Sequence, residues 1–181
     1  AIAGGADQAD IDALLADPNY DQEDGQGFWN QARADAAGEV VAWMNGQYLL
    51  DLQAAAGVST EKHVILGDYN AYAEEDPTTT VRDAEEGYVD LIDTFAEGGQ
   101  DAAYSFVFDG QQGTLDQAIA TTALAGDVTD VFEWHVNADE PDLLNYDESF
   151  ANTDFDDENL FGASDHDPLL IGLDFGADSL V

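Results

Sequence analysis

His63-Val64-Ile65-Leu66-Gly67-Asp68-Tyr69-Asn70 is the stretch on which the reading of this chain turns. His63 and three apolar residues, two of them β-branched, run into Gly67-Asp68, the pattern of a buried strand ending at a turn. In an extended segment residues i and i+2 point to one side, so Asp68 and Asn70 should project together from the strand end. Ligands commonly bind at strand ends in layered α/β folds. A carboxylate beside a carboxamide suits a phosphate: the acid can activate water, and the amide can donate to a non-bridging oxygen. Gly, Asp and Asn are also turn formers, and a plain turn accounts for the same residues.

Working outward, the segments on either side alternate between helical and strand periods. Residues 7–27 read as a polar loop with one helical turn around Ile11–Leu15. Val40, Met44 and Tyr48 recur at four-residue spacing and predict one amphipathic helix over 28–56, ending near Gly57. Thr80–Phe95 reads as one or two short helices broken by Gly87. Strands are expected at Tyr104–Phe108, before the turn Asp109-Gly110, and at Leu115–Thr121, Val131–Val136 and Leu169–Phe175. Pro141–Gly162 reads as a long acidic loop, with Asp154–Glu158 as solvated surface. Helices interleaved with several strands predict a mixed α/β (α+β) layer structure in a single domain.

Composition sets the environment. The 181 residues are 45% hydrophobic, with three Trp, seven Tyr and nine Phe, enough for a core. Against 40 Asp plus Glu stand only Arg33, Lys62 and Arg82, a formal net charge of −37. Such self-repulsion destabilises a compact state in dilute buffer. At about 1 M salt the Debye length falls to roughly 3 Å and the repulsion is screened. Acid dispersed among ordinary periodic segments therefore predicts adaptation to high salt, in preference to a nucleic-acid mimic with charge massed on one face. The chain carries no basic stripe for nucleic acid, although counterion release contributes little at molar salt. Without Cys there is neither a disulfide framework nor thiolate chemistry. No apolar run approaches the length of a membrane span, and no membrane partner is expected.

Two further motifs could carry chemistry. Ser164-Asp165-His166-Asp167-Pro168 sets a His between two acids just before the last strand. It suits metal ligation or phosphate contact, and equally a capping turn. In Gly113-Thr114-Leu115-Asp116-Gln117, Asp116 lies within an apolar stretch where an unpartnered carboxylate is costly. His166 is the attractive partner, since an Asp fixes the tautomer of a neighbouring His; an outward-facing Asp116 is the alternative. Asp17–Glu23 alternates oxygen ligands like the start of a calcium loop but lacks Gly at the sixth and Glu at the twelfth position.

Taken in order, Gly-Asp-x-Asn, Leu-Asp and Ser-Asp-His-x-Pro resemble the C-terminal half of the endonuclease/exonuclease/phosphatase superfamily, which includes DNase I-like nucleases. The likeness is closest to its extracellular bacterial nuclease branch. Further segments support it: Asp24–Asn30 with Arg33, Leu66–Tyr72, Glu75-Asp76-Pro77, Tyr104–Gly110 and Glu133–Pro141. Together they cover roughly residues 20–175. The resemblance implies a two-sheet β-sandwich flanked by helices, of which this half supplies about one mixed sheet with its covering helices. It implies a metal-dependent phosphodiesterase, a DNA or RNA endonuclease, acting outside the cell with Mg²⁺ or Mn²⁺, Ca²⁺ being the alternative ion. Asp68 would activate the attacking water or leaving oxygen, and Asn70 would bind phosphate and steady Asp68. Asp165, with Asp68, would hold the metal. His166 would contact the phosphate, oriented by Asp116. Gln117 stands where many relatives carry His. The family's metal-binding Glu and second catalytic His belong to an N-terminal half that would precede Ala1; His63 and His135 are read as structural. One sheet face should then need cover, from that half or from a second copy. The rival expectation is a catalytically silent protein that keeps the fold and binds cations or a partner.

Overall fold

The computed structural model describes residues 7–84, 88–141 and 162–176. The chain is mixed α/β, as its alternating periods indicate, and groups into two compact units. The expected acidic loop at 141–162 and the cluster Asp154–Glu158 lie almost wholly outside the described residues, as does Gly87.

The first unit, Ala1–Ser59 with Glu74–Ala84, is helical. It contains α1 (Gln8–Leu15), α2 (Asn30–Met44), α3 (Gln47–Ala56) and α4 (Asp76–Arg82). Asp7 caps α1 by accepting from the Asp10 amide at 3.0 Å. The single helix expected over 28–56 is two helices, and Asn45-Gly46 separates them. The break has a steric cause: a Cβ on Gly46 would stand 2.8 Å from the Ala42 carbonyl oxygen. The inward stripe of α2 keeps only part of the expected one. Ala34, Ala37, Val41 and Met44 are half-buried, while Val40 and Tyr48 are exposed. α2 packs along α4, whose first turn carries Pro77 where an amide would have no helical partner. Arg33 spans the pair, its Nη1 2.6 Å from Glu75 Oε2 and its Nη2 donating to the Gln26 carbonyl. Asn30 Nδ2 donates to Asp76 at 2.6 Å, and the Asp76 amide donates to Gln26 Oε1 at 2.7 Å.

The second unit, Thr60–Ala73 with Glu85–Val181, carries the strands. In order these are β1 (Val64–Asp68), β2 (Tyr88–Asp90), β3 (Phe106–Phe108), β4 (Gln111–Gly113), β5 (Asp116–Thr121), β6 (Val128–Glu133) and β7 (Leu169–Leu173). Between them lie α5 (Leu91–Phe95), a 3₁₀ turn (Gly99–Asp101) and α6 (Thr122–Ala125). They form three antiparallel sheets, β1-β5-β2, β3-β4 and β6-β7, where the resemblance implies about one mixed sheet. The core joins the β1-β5-β2 and β6-β7 sheets: Leu91, Ile92, Ala118, Ala120, Leu124, Val128 and Val131 are buried together, with Leu169 and Ile171 packed against them.

Several strand boundaries differ from the expected ones. β2 is a strand inside the segment read as helical, and β4 completes a hairpin about Asp109-Gly110. β6 starts three residues before Val131 and stops at Glu133, because the Val136 amide is taken by a side chain, Asp167, and not by a neighbouring strand. β1 is not fully buried. It pairs with β5 alone among the described strands, and Leu66 is 54% exposed. Its apolar run is that of an edge strand with one side uncovered.

Candidate functional site

Antiparallel pairing of β1 with β5 sets Asp68 directly opposite Asp116. Both residues end their strands at the same sheet end, and their side chains share one face. Two like charges directly across a ladder are destabilising, so this register needs a compensating group. His166 supplies it. Its Nδ1 lies 2.6 Å from Asp116 Oδ2, the partnership read from the sequence. The Ser164–Pro168 segment reaches that position through a bridge between Phe106 of β3 and His166, with their rings 4.8 Å apart. The neighbouring Asp167 amide donates to the Ser105 carbonyl at 2.8 Å.

Burial pulls His166 down, but the hydrogen bond and charge of Asp116, then the charges of Asp68 and Asp165, outweigh it and raise its pKa above the ordinary value. An ionised carboxylate only accepts, so the proton on the Nδ1 side belongs to His166, and Nε2 is left for a ligand.

Asn70 takes a left-handed conformation, φ 47°, which Asn tolerates better than most residues. That turn brings its amide N–H to Asp68 Oδ1 at 2.7 Å and its Nδ2 to Asp68 Oδ2 at 3.1 Å. The turn reading and the functional reading of Gly-Asp-x-Asn therefore coexist: Asn70 makes the turn and holds Asp68. Asp68, Asn70 and Asp165 are exposed.

Among the described residues no group of three or more His, Cys, Asp or Glu could hold an ion. Both oxygens of Asp68 are engaged by Asn70. A magnesium ion is held by one or two carboxylates, with waters and substrate oxygens completing its shell, and Asp165 with Asp68 would supply that number. In the segment weighed as a calcium loop, Asp17 and Asp21 accept from backbone amides two residues on.

The other residues singled out from the sequence are structural in this geometry. His63 extends the β1–β5 ladder, its carbonyl accepting from the Thr121 amide at 3.0 Å. Gln117 is fully buried; its Nε2 donates to the carbonyls of Thr114 and Ala71, and its Oε1 accepts from Gln100. His135 stacks on Tyr104, ring centroids 3.9 Å apart, and its Nδ1 is 2.8 Å from Asp167 Oδ2. Asp167 is the anchor of that loop. Its Oδ1 accepts from the amides of Val136, Asn137 and Ala138 at 2.8–3.0 Å. Burial opposes its ionisation, yet the His135 and backbone hydrogen bonds prevail and hold it below the usual carboxylate range. Tyr104 is pushed up to about 12 by burial and by its bond to Asp139.

Sequence reasoning passed over Ser105. It is fully buried, and its Oγ lies 2.6 Å from Asp116 Oδ2. The available signal was a small hydroxyl inside the apolar run Tyr104–Phe108, where a polar group needs a partner. All three cations are already paired with acids: Arg33 with Glu75, Lys62 with Asp127, and Arg82 with Glu74 and Asp83. No helix of the described residues is long and apolar enough to cross a membrane. No protein-family model matches this chain, and neither a curated protein nor a solved structure matches it at a significant level.

Proposed function

We propose that this chain carries the phosphodiester-cleaving half-site of a nuclease adapted to high salt. One observation carries the reading: Asp68, Asn70, Asp116 and His166, scattered over a hundred residues of sequence, meet at one sheet end with His166 Nδ1 on Asp116. In this role Asp68, steadied by Asn70, takes the proton of the attacking water. His166, charged and fixed through Nδ1, turns Nε2–H toward a phosphate oxygen and stabilises the charge that develops there. Asp116 accepts from Nδ1–H and holds the ring. A divalent ion, Mg²⁺ or Mn²⁺, would be held by Asp165 with Asp68 and would act as a Lewis acid on the phosphate. The net charge of −37 and the pairing of every cation leave binding of a polyanion to such groups and not to a basic surface.

The second reading is a catalytically silent, fold-keeping protein. The absence of a metal-holding cluster among the described residues favours it. Cleavage of supercoiled plasmid in about 2–4 M KCl, where charge is screened to a few ångströms, separates the two. With Mg²⁺ or Mn²⁺ present, nicking that disappears in Asp68→Ala and in His166→Ala supports the nuclease. Nicking that survives both substitutions excludes the site; no nicking under any condition, in a folded chain, favours the silent reading.

A further inference from the structure

Ser105 is a buried side chain that touches the proposed machinery without being part of it. A hydroxyl has one donor and two acceptor lone pairs. The Leu115 amide donates to Ser105 Oγ at 3.3 Å and the Asp116 amide at 3.2 Å, which uses both lone pairs. The hydroxyl proton is thereby committed to Asp116 Oδ2, 2.6 Å away, a short charge-assisted bond. That same oxygen receives His166 Nδ1–H. The backbone of Ser105 is fixed on both sides, its amide donating to the Gly113 carbonyl at 3.1 Å and its carbonyl accepting from the Asp167 amide. The hydroxyl is therefore a rigid post, held by β4 on one side and by the His166 segment on the other.

We infer that Ser105 is a positioning residue: its hydroxyl locks the Asp116 carboxylate in the one rotation that presents Oδ2 to His166 Nδ1. Without the hydroxyl, the Leu115 and Asp116 amides lose their acceptor inside a buried site, and leaving such groups unsatisfied is costly. The Asp116 carboxylate, already within hydrogen-bond reach of Ser105 Oγ, is an acceptor that can turn toward them. Rotating to serve them withdraws Oδ2 from His166, and the imidazole loses both its fixed tautomer and its orientation. The inference deepens the nuclease reading, on which its catalytic consequence rests, but the geometry of the Ser105-Asp116-His166 chain can be tested without any turnover.

The test is proton and nitrogen NMR of the full chain labelled at histidine, in molar KCl at one alkaline pH where the imidazole is neutral and has a tautomer to read. The wild-type protein should show a strongly downfield Nδ1–H resonance from His166, assigned by its loss in Asp116→Asn. Ser105→Ala should shift that resonance upfield or broaden it away and mix the His166 tautomers, with the His135 signals unchanged. Ser105→Thr, which restores the hydroxyl, should recover it. Should Ser105→Ala fail to fold, Ser105→Cys, close in volume but a weak donor, carries the same comparison. A His166 resonance and tautomer unchanged in the folded Ala or Cys variant overturns the inference. In the cleavage assay the same variant should lose kcat by roughly 10-fold to 100-fold, the scale of a small misplacement at a reacting centre, with KM unchanged. An inactive wild-type chain would defeat the nuclease reading alone, since the resonance still decides the role of Ser105.

Discussion

The two units of this chain use the same acidic, alanine-rich alphabet to opposite effect. In the strand-bearing unit β5 is buried on both faces: Ala118 and Ala120 reach zero exposure in the cluster with Leu91, Ile92 and Val131, and Gln117 and Ile119, which alternate with them, are at zero as well. In the helical unit not one residue of α1, α2 or α3 is fully buried, and Trp29 stands 65% exposed. Alanine favours the helix but removes little apolar area from water when it lines the inward stripe. Burial in that unit is confined, among its described residues, to Pro77, Thr78 and Val81 of α4, and directed polar links add to it, Arg33 to Glu75 and Gln26, and Asn30 to Asp76. The lesson is that burial can weigh more in one unit and hydrogen bonding in the other within a single chain, with different sensitivities to mutation and to salt.

That contrast can be broken at several points. The largest effect belongs to the site of the strand-bearing unit: His166→Ala should reduce plasmid cleavage by roughly 10²–10⁴-fold, the scale of general acid–base groups. A matched substitution in the helical unit, Arg33→Lys, should leave the rate within a small factor. Next, Ile92→Ala should destabilise by about 2–5 kcal/mol as a buried cavity forms, read from the denaturant midpoint in molar KCl. Arg33→Ala should cost less, about 1–3 kcal/mol for acceptors left without their donor, and its cost should be recovered only in part by Lys, which lacks the planar fork.

A pH titration of stability sharpens the same comparison. Asp167 is held below its ordinary pKa by His135 and three amides. Its contribution is therefore complete above the unfolded value, about 3.9, and is lost as pH falls through the lower folded value. Asp167→Asn should flatten that acid limb, measured by thermal denaturation between pH 5 and about pH 2. The smallest effect is expected at Leu50 on α3, 56% exposed. Leu50→Ala should change stability by within about 0.5 kcal/mol. A loss as large as that of Ile92→Ala would mean the helical unit's apolar face is covered in solution.

Where local chemistry decides structure, the sequence was readable. His63–Asp68 announced β1, Asp109-Gly110 the β3–β4 turn, and Gly57 the end of α3, whose left-handed φ of 70° suits glycine. The pairing of Asp116 with His166 was legible because a carboxylate in an apolar run demands a partner, and few candidates existed. Long-range register was not legible. Nothing local says that Asp68 stands opposite Asp116, which β5 enforces from fifty residues away. The split of 28–56 was missed because four-residue spacing continues through Asn45-Gly46, whereas the close approach of the Ala42 carbonyl forbids a side chain there. β6 was misplaced because its boundary is set by a side chain, Asp167, that lies more than thirty residues on in the sequence. Ser105 escaped notice because a serine in an apolar run has many uses, and only the fold selects one.

The Asp167 clamp has a consequence in the language of hydrogen exchange. The amides of Val136, Asn137 and Ala138 belong to no helix or strand, yet one buried carboxylate oxygen accepts all three. They should exchange slowly together, and a single opening of the clamp should release them in one step. Because the segment carrying Asp167 also carries His166, these three loop amides form a built-in reporter. Deuterium uptake there would register any loosening of the His166 segment, in a chain whose acidity hides so much else from ordinary titration.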